Sequence, residues 1–295
     1  MYIHGTKDRQ LRSLAKTSIL VAVALAAPAS AELIGGCQFD RDTLVFAGTP
    51  LEQATCLLRK VEPLGAKSPQ PLPPVLARLL AVDGGPTAAQ QAAAVAAFPQ
   101  PYRDYALANQ NLPLSVTEGG LPALYFVIHD TSEPFLENAP FPRHLDNDPA
   151  VNSFASYLGA EPVAHIFLNR QGQIWGAHDF SIPWRATKLE SRVIGVPARG
   201  RFVHIETVQP RRFLPGATSR GQTEGPKPGF SAAQYRMLAA LYVYASGRAG
   251  HWLIPGFHSA VDDGIPDAHD DPQNFELRQF AKELEKLLSA DKTGA

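Results

Sequence analysis

Three stretches of this chain carry the residue types of a hydrolytic site. His129 closes the apolar run Ala123 to His129 and opens His129-Asp130-Thr131-Ser132; far downstream, Phe257-His258-Ser259 precedes a polar loop ending in His269-Asp270-Asp271-Pro272. Two histidines and a carboxylate from separate elements, with a fourth position left open, make the ligand set of a hydrolytic zinc site. No fixed spacing marks this set as it would on a His-Glu-x-x-His helix, and Asp270 competes with Asp271 for the carboxylate position. A strand-end histidine also has a plainer use, because a half-buried imidazole readily pairs with the backbone. Glu206 lies in the run Arg201 to Val208, where period-two alternation puts Phe202, His204 and Glu206 on one face and Val203 and Ile205 on the other. A carboxylate there can point at a site or simply sit in solvent.

The elements that must position these residues follow from hydrophobic pattern and turn chemistry. Ala123 to His129 and Arg201 to Val208 read as strands, and Pro162 to Ala177, with Asn169-Arg170-Gln171-Gly172 at its centre, reads as a hairpin. Pro149 to Leu158 has helical spacing, Gln209 to Gly229 reads as a Pro/Gly/Arg-rich loop, Ser231 caps a helix running through Ser246, and Asn274 to Ala290 is amphipathic. Strands interleaved with helices predict an α/β domain over residues 119–295, with a mixed central sheet flanked by helices. Residues 32–118 read as a separate helical, Pro-rich segment. Thr49-Pro50-Leu51-Glu52 is a capping box, and Thr87 to Phe98, almost all Ala and Gln, is helical by propensity. Nothing in that segment clusters chemistry, so a structural cap or a partner surface is expected of it.

Residues 1–31 have the pattern of a secretory signal peptide: Lys7, Arg9, Arg12 and Lys16, then the apolar run Ile19 to Ala27, then Ala29-Ser30-Ala31 before a cleavage ahead of Glu32. The apolar run is too short to span a bilayer, so no membrane segment is expected after cleavage. An exported chain with two cysteines, Cys37 and Cys56, predicts one disulfide. A lipid on Cys37, suggested by Ile34-Gly35-Gly36-Cys37, is the exclusive alternative. Lys and Arg number 27 against 28 Asp and Glu, which leaves no basic field for nucleic acid.

In order along residues 120–290, FVIHDTS, AHIFLNRQGQIWG, RFVHIETV, FSAAQYRMLAAL and FHSAVDDGIPDAHDDPQNF resemble segments of the zinc-dependent N-acetylmuramoyl-L-alanine amidases of the peptidoglycan-recognition type, the amidase 2 family. The resemblance implies zinc held by His129, His258 and Asp271, with Asp271 preferred because it directly precedes proline, and Glu206 as general base. It implies a peptidoglycan or muropeptide substrate, cleaved between N-acetylmuramic acid and L-alanine, and therefore a periplasmic location. His269 stands where the family often has a lysine, which makes it the expected oxyanion partner or general acid. His204 replaces a usual small residue and is expected to narrow the pocket, and Arg185-Ala186-Thr187-Lys188 lacks the family's histidine. Such departures keep two alternatives open: a peptidoglycan-binding protein without turnover, and a zinc peptidase of the stem peptide.

Other polar and aromatic residues have less definite expectations. His165 reads as support for a ligand or as a core histidine, and His144, His178 and His251 as loop or surface residues. Trp175, Trp184 and Trp252 read as glycan-groove or core aromatics. Arg211, Arg212 and Arg220 read as loop cations, solvated or meeting carboxylates of a peptide.

Overall fold

The computed structural model describes residues 33–155 and 163–289. The expected leader and its cleavage point lie outside the described residues, as does the end of the helix expected over Pro149 to Leu158.

Three two-residue strands, β1 (Leu33–Ile34), β2 (Phe39–Asp40) and β3 (Val45–Phe46), form a small antiparallel sheet. Helix α1 (Pro50–Leu57) follows, capped as its sequence predicts: the Thr49 hydroxyl accepts from Glu52 N, and the Glu52 carboxylate accepts from Thr49 N. Strands β4 (Lys60–Val61) and β5 (Lys67–Ser68) make a hairpin, followed by α2 (Pro74–Leu80), α3 (Ala88–Ala97), with the same reciprocal cap from Thr87 and Gln90, and α4 (Tyr102–Asn109). Cys37 and Cys56 are joined by a disulfide that ties the β1–β2 turn to α1. The Cys37 sulfur is thereby used, which removes the lipid-anchor alternative.

The central sheet is mixed. Its strands β6 (Tyr125–Asp130), β7 (Ile166–Leu168), β8 (Ile174–Gly176), β9 (Phe202–Thr207) and β12 (Ile254–Phe257) lie in the order β12-β6-β9-β7-β8, the first four parallel and β8 antiparallel to β7. The short helix α5 (Pro149–Asn152) lies between β6 and β7 in sequence. The stretch read as a loop after Glu206 contains a small hairpin of β10 (Arg212–Phe213) and β11 (Thr223–Glu224). Helix α6 (Ala232–Ala249), capped by Ser231 and ended by left-handed Gly250, precedes β12; α7 (His258–Val261) and α8 (Leu277–Leu288) complete the chain.

Strand register decides what each face of the sheet carries. Tyr125 pairs with Phe202, Val127 with His204 and His129 with Glu206, while Ile254 pairs with Tyr125 and Gly256 with Val127, so all of these share one face. The opposite face, with Phe126, Ile128, Val203 and Ile205, packs against α6, where Phe126 meets the Tyr242 ring edge-on at 5.4 Å; Phe280 of α8 packs behind Tyr242.

The N-terminal segment covers the first face at the end remote from His129. Phe39 lies 6.0 Å from the Phe202 ring, Tyr125 stacks on Phe202 at 4.9 Å, and the Tyr125 hydroxyl donates to Gln53 Oε1 and accepts from Phe46 N. At Gly256 a Cβ would lie 3.1 Å from Leu57 Cβ, so glycine there lets α1 approach β12. Phe39, Phe46 and Leu57 are buried, and burying such a side chain contributes roughly 1.5–3 kcal/mol. Residues on both sides of the expected 118/119 boundary therefore share one hydrophobic core.

Candidate metal centre

His129 and Glu206 sit near the carboxyl ends of the adjacent parallel strands β6 and β9, and His258 immediately follows β12, β6's other neighbour. Crevices at the carboxyl ends of parallel strands are where open α/β sheets place their ligands. Asp271 arrives from the loop after α7, and its backbone carbonyl accepts from Ser259 N at 2.9 Å. The strand ends and this backbone bond thus bring residues from distant parts of the sequence together.

Among the described residues, one group of three can hold a metal ion: His129, His258 and Asp271, all buried, with ligand atoms within 4.8 Å of one another. The two Nδ1 atoms are 3.0 Å apart; His258 Nδ1 lies 3.2 Å and His129 Nδ1 3.8 Å from Asp271 Oδ2. Tetrahedral ligands bound at about 2.0–2.1 Å lie about 3.4 Å from one another, which falls inside this spread. Two further atoms support the fit: Glu206 Oε2 and Asp271 Oδ1 are buried without a hydrogen-bond partner, although Asp271 Oδ1 is only 3.0 Å from His258 Nδ1. Buried carboxylate oxygens left in this way need a cation or water. The nitrogen and oxygen donor set suits zinc.

The electrostatics are those of charged groups forced together out of water. Burial and the His258 charge hold the His129 imidazole pKa well below its usual range; His258 is raised well above it by Asp271 and Asp262 against the opposing effect of burial. Glu206 Oε1 is 3.7 Å from His129 Nδ1, and burial, with the Asp271 charge adding to it, pushes the Glu206 carboxyl up to about 8.

A cleft of about 630 Å³ opens beside this cluster, lined in part by Leu64, Ser132, Lys188, Arg211, Arg220 and His269. The His269 side chain is 58% exposed, with Nδ1 3.7 Å from Asp271 Oδ1. Loss of water on its inner side, followed by the His258 charge, lowers its pKa, which works against the imidazolium expected there. Lys188, from the segment Arg185 to Lys188, also lines the cleft; nothing in its local sequence marks it. Leu64 brings the β4–β5 hairpin to the rim, so the N-terminal segment forms part of this wall.

Burial corrects the expectations for His204 and the arginines and decides between the alternatives left open for His165 and the tryptophans. His204 does not narrow the cleft: it is fully buried, and its Nδ1 lies 3.1 Å from His129 Nε2. Arg211 is a buried cation bound to Asp130 Oδ2 at 2.7 Å, and Arg212 and Arg220 pair with Glu224 and Glu133. His165 is a core histidine whose Nδ1 accepts from His204 N and whose Nε2 meets Ile182 O. Trp252 stacks on Tyr242, Trp175 lies against Phe167, and Trp184 packs on His178, so none of the three lines the cleft. Two buried carboxylates escaped sequence reasoning, Glu190 and Asp262. Only Asp262 left a trace, four residues after His258 and hence one helical turn along.

No protein-family model and no curated protein matches the chain. Among solved structures, a selenomethionine derivative of AmpD aligns over 59% of this chain and 91% of its own, at 16% identity and a TM-score of 0.34. The endolysin N-acetylmuramoyl-L-alanine amidase LysCS from Clostridium intestinale URNW aligns over 59% and 90%, at 16% identity and a TM-score of 0.29.

Proposed function

We propose that this chain is a zinc-dependent N-acetylmuramoyl-L-alanine amidase, an exported hydrolase of the amide between N-acetylmuramic acid and L-alanine in peptidoglycan or its fragments. The observation that carries the proposal is the convergence of His129, His258 and Asp271 beside Glu206, buried next to a cleft that His269 and Asp270 line, together with the ordered motifs that resemble the amidase 2 family. Zinc held by those three side chains would polarise the scissile carbonyl and acidify a water molecule. Glu206 takes the proton of the attacking water and returns it to the leaving amine. His269 and Lys188 line the cleft and would supply hydrogen-bond donors to the charge that develops on the carbonyl oxygen.

The leader pattern together with the peptidoglycan substrate supports a periplasmic location, and a disulfide, which persists in oxidising compartments, agrees with it. The test is digestion of purified sacculi and of soluble muropeptides with the zinc-loaded protein, followed by mass analysis. Free stem peptides starting with L-alanine, alongside intact glycan, are expected. Cleavage within the peptide would instead make it a stem-peptide peptidase, and tight binding without products a wall-binding protein.

A further inference from the structure

The nitrogens of His129 and His258 that face away from Asp271 are both held, and both holds end on one run of four consecutive backbone amides. His258 Nε2 lies 2.9 Å from Asp262 Oδ2, whose carboxylate also accepts from Lys188 N and Leu189 N, each at 2.9 Å. His129 Nε2 lies 3.1 Å from His204 Nδ1, and His204 Nε2 lies 3.1 Å from Glu190 Oε2. Glu190 Oε2 in turn accepts from Ala186 N and Thr187 N, each at 3.2 Å, and from the Thr187 hydroxyl at 2.9 Å. Four consecutive N–H groups, from Ala186 to Leu189, are thus divided two and two between the carboxylates behind the two histidines. His204, Glu190 and Asp262 are fully buried, and none lines the cleft.

We infer that Glu190 through His204, and Asp262 directly, are positioning residues that fix the ring orientation and tautomer of the two metal-binding histidines, with the turn Ala186 to Leu189 as their common anchor. The inference rests on the metal-site reading above. A neutral imidazole that offers Nδ1 to a cation carries its proton on Nε2, and that proton needs an acceptor. For His258 the acceptor is a carboxylate. For His129 it is His204 Nδ1, which is free to accept only if His204 carries its own proton on Nε2, and Glu190 stands there to receive it. The direction of donation along His129, His204 and Glu190 is therefore determined throughout. His165 holds the middle of this relay in register, since its Nδ1 accepts from His204 N. Because one turn serves both arms, disturbing one carboxylate loosens the amides that hold the other.

The test measures zinc affinity by competition with a chromophoric chelator, on metal-free wild type, His204→Ala, His204→Asn, Glu190→Gln, Asp262→Asn and the Glu190→Gln/Asp262→Asn pair. Far-ultraviolet circular dichroism and thermal unfolding of each metal-free protein accompany it. Removing a partner of this kind lowers metal affinity about 10–100-fold. That loss is expected for His204→Ala, Glu190→Gln and Asp262→Asn, and the pair should depart from additivity because of the shared anchor. Asparagine places an amide oxygen near the position of imidazole Nδ1, so His204→Asn should recover a large part of the loss. In the cobalt-loaded proteins, the visible d–d bands should move in His204→Ala and return toward wild type in His204→Asn. Folded variants that bind zinc as tightly as wild type, with unmoved cobalt bands, would overturn the inference while leaving the metal site standing. If the wild type itself takes up no zinc, the metal reading and this inference fall together.

Discussion

Asp270 and Asp271 are consecutive in the chain and turn to opposite partners. Asp271 faces His258 Nδ1 at 3.0 Å, whereas Asp270 faces the Arg211 guanidinium at 3.4 Å and Gln273 Nε2. Two carboxylates that the sequence left in competition are thus divided between the metal cluster and a buried cation. Asp271→Ala should abolish stoichiometric zinc, as should His129→Ala, while Asp270→Ala keeps it; elemental analysis of the purified proteins decides.

Glu206 lies beside the cluster without being one of its three ligands. Glu206→Gln keeps the shape of the side chain and removes the proton acceptor. Its kcat on muropeptide should fall about 10²–10⁴-fold, with zinc content unchanged. Retained turnover would remove Glu206 from the proton transfer.

His269 and Lys188 reach the same cleft from different segments. If His269 supplies the oxyanion contact, His269→Ala should lower kcat by roughly two to three orders of magnitude and keep its zinc. A larger loss in Lys188→Ala, with near-normal turnover in His269→Ala, would transfer that role to the lysine.

The disulfide joins residues 19 apart in sequence. Closing a loop of this size removes unfolded-chain entropy equivalent to about 3 kcal/mol. Cys37→Ser/Cys56→Ser should unfold at correspondingly lower urea concentration, measured by tryptophan fluorescence.

Asp263 receives Arg59 at 2.7 Å and Lys67 at 3.0 Å, and against the opposing effect of partial burial these cations lower its carboxyl pKa. A carboxylate depressed in the folded state adds stability that is fully present above the unfolded value, about 3.9, and is lost as pH falls through the folded value. The stability gap between wild type and Asp263→Asn, followed by urea unfolding, should therefore be constant from pH 5 to 7 and shrink below pH 4. A gap independent of pH would mean that the ion pairs contribute nothing.

Much of this arrangement was legible because apolar runs that end in a polar residue mark where a buried strand reaches a crevice. That pattern identified His129; Glu206 came from the resemblance, and period-two alternation placed His204 beside it on the same face. Strand β12 was not legible: Pro255 and Gly256 break the pattern, and they are tolerated because this is an edge strand packed closely by α1. The part played by His204 depends on β6 being the neighbour of β9, which no local signal reports. Arg211 reads as a surface cation until Asp130 is seen beneath it. Glu190 lies in the six-residue helical segment Leu189–Ile194 and Asp262 just past the short helix α7, stretches too short for sequence to give a periodicity to follow.

The covering of Tyr125 and Phe202 by the N-terminal segment has a consequence for the order in which the molecule folds. Arg201 Nε donates to Leu44 O across 157 residues of chain, and Arg41 to Val193 O across 152. Contacts so distant form late, because loop closure must precede them. Residues 39–46, made before β9, are therefore among the last to find their places, and Phe39 and Phe46 wait exposed until β9 arrives. A chain halted before residue 200 would present an unfinished aromatic surface to whatever chaperone receives it.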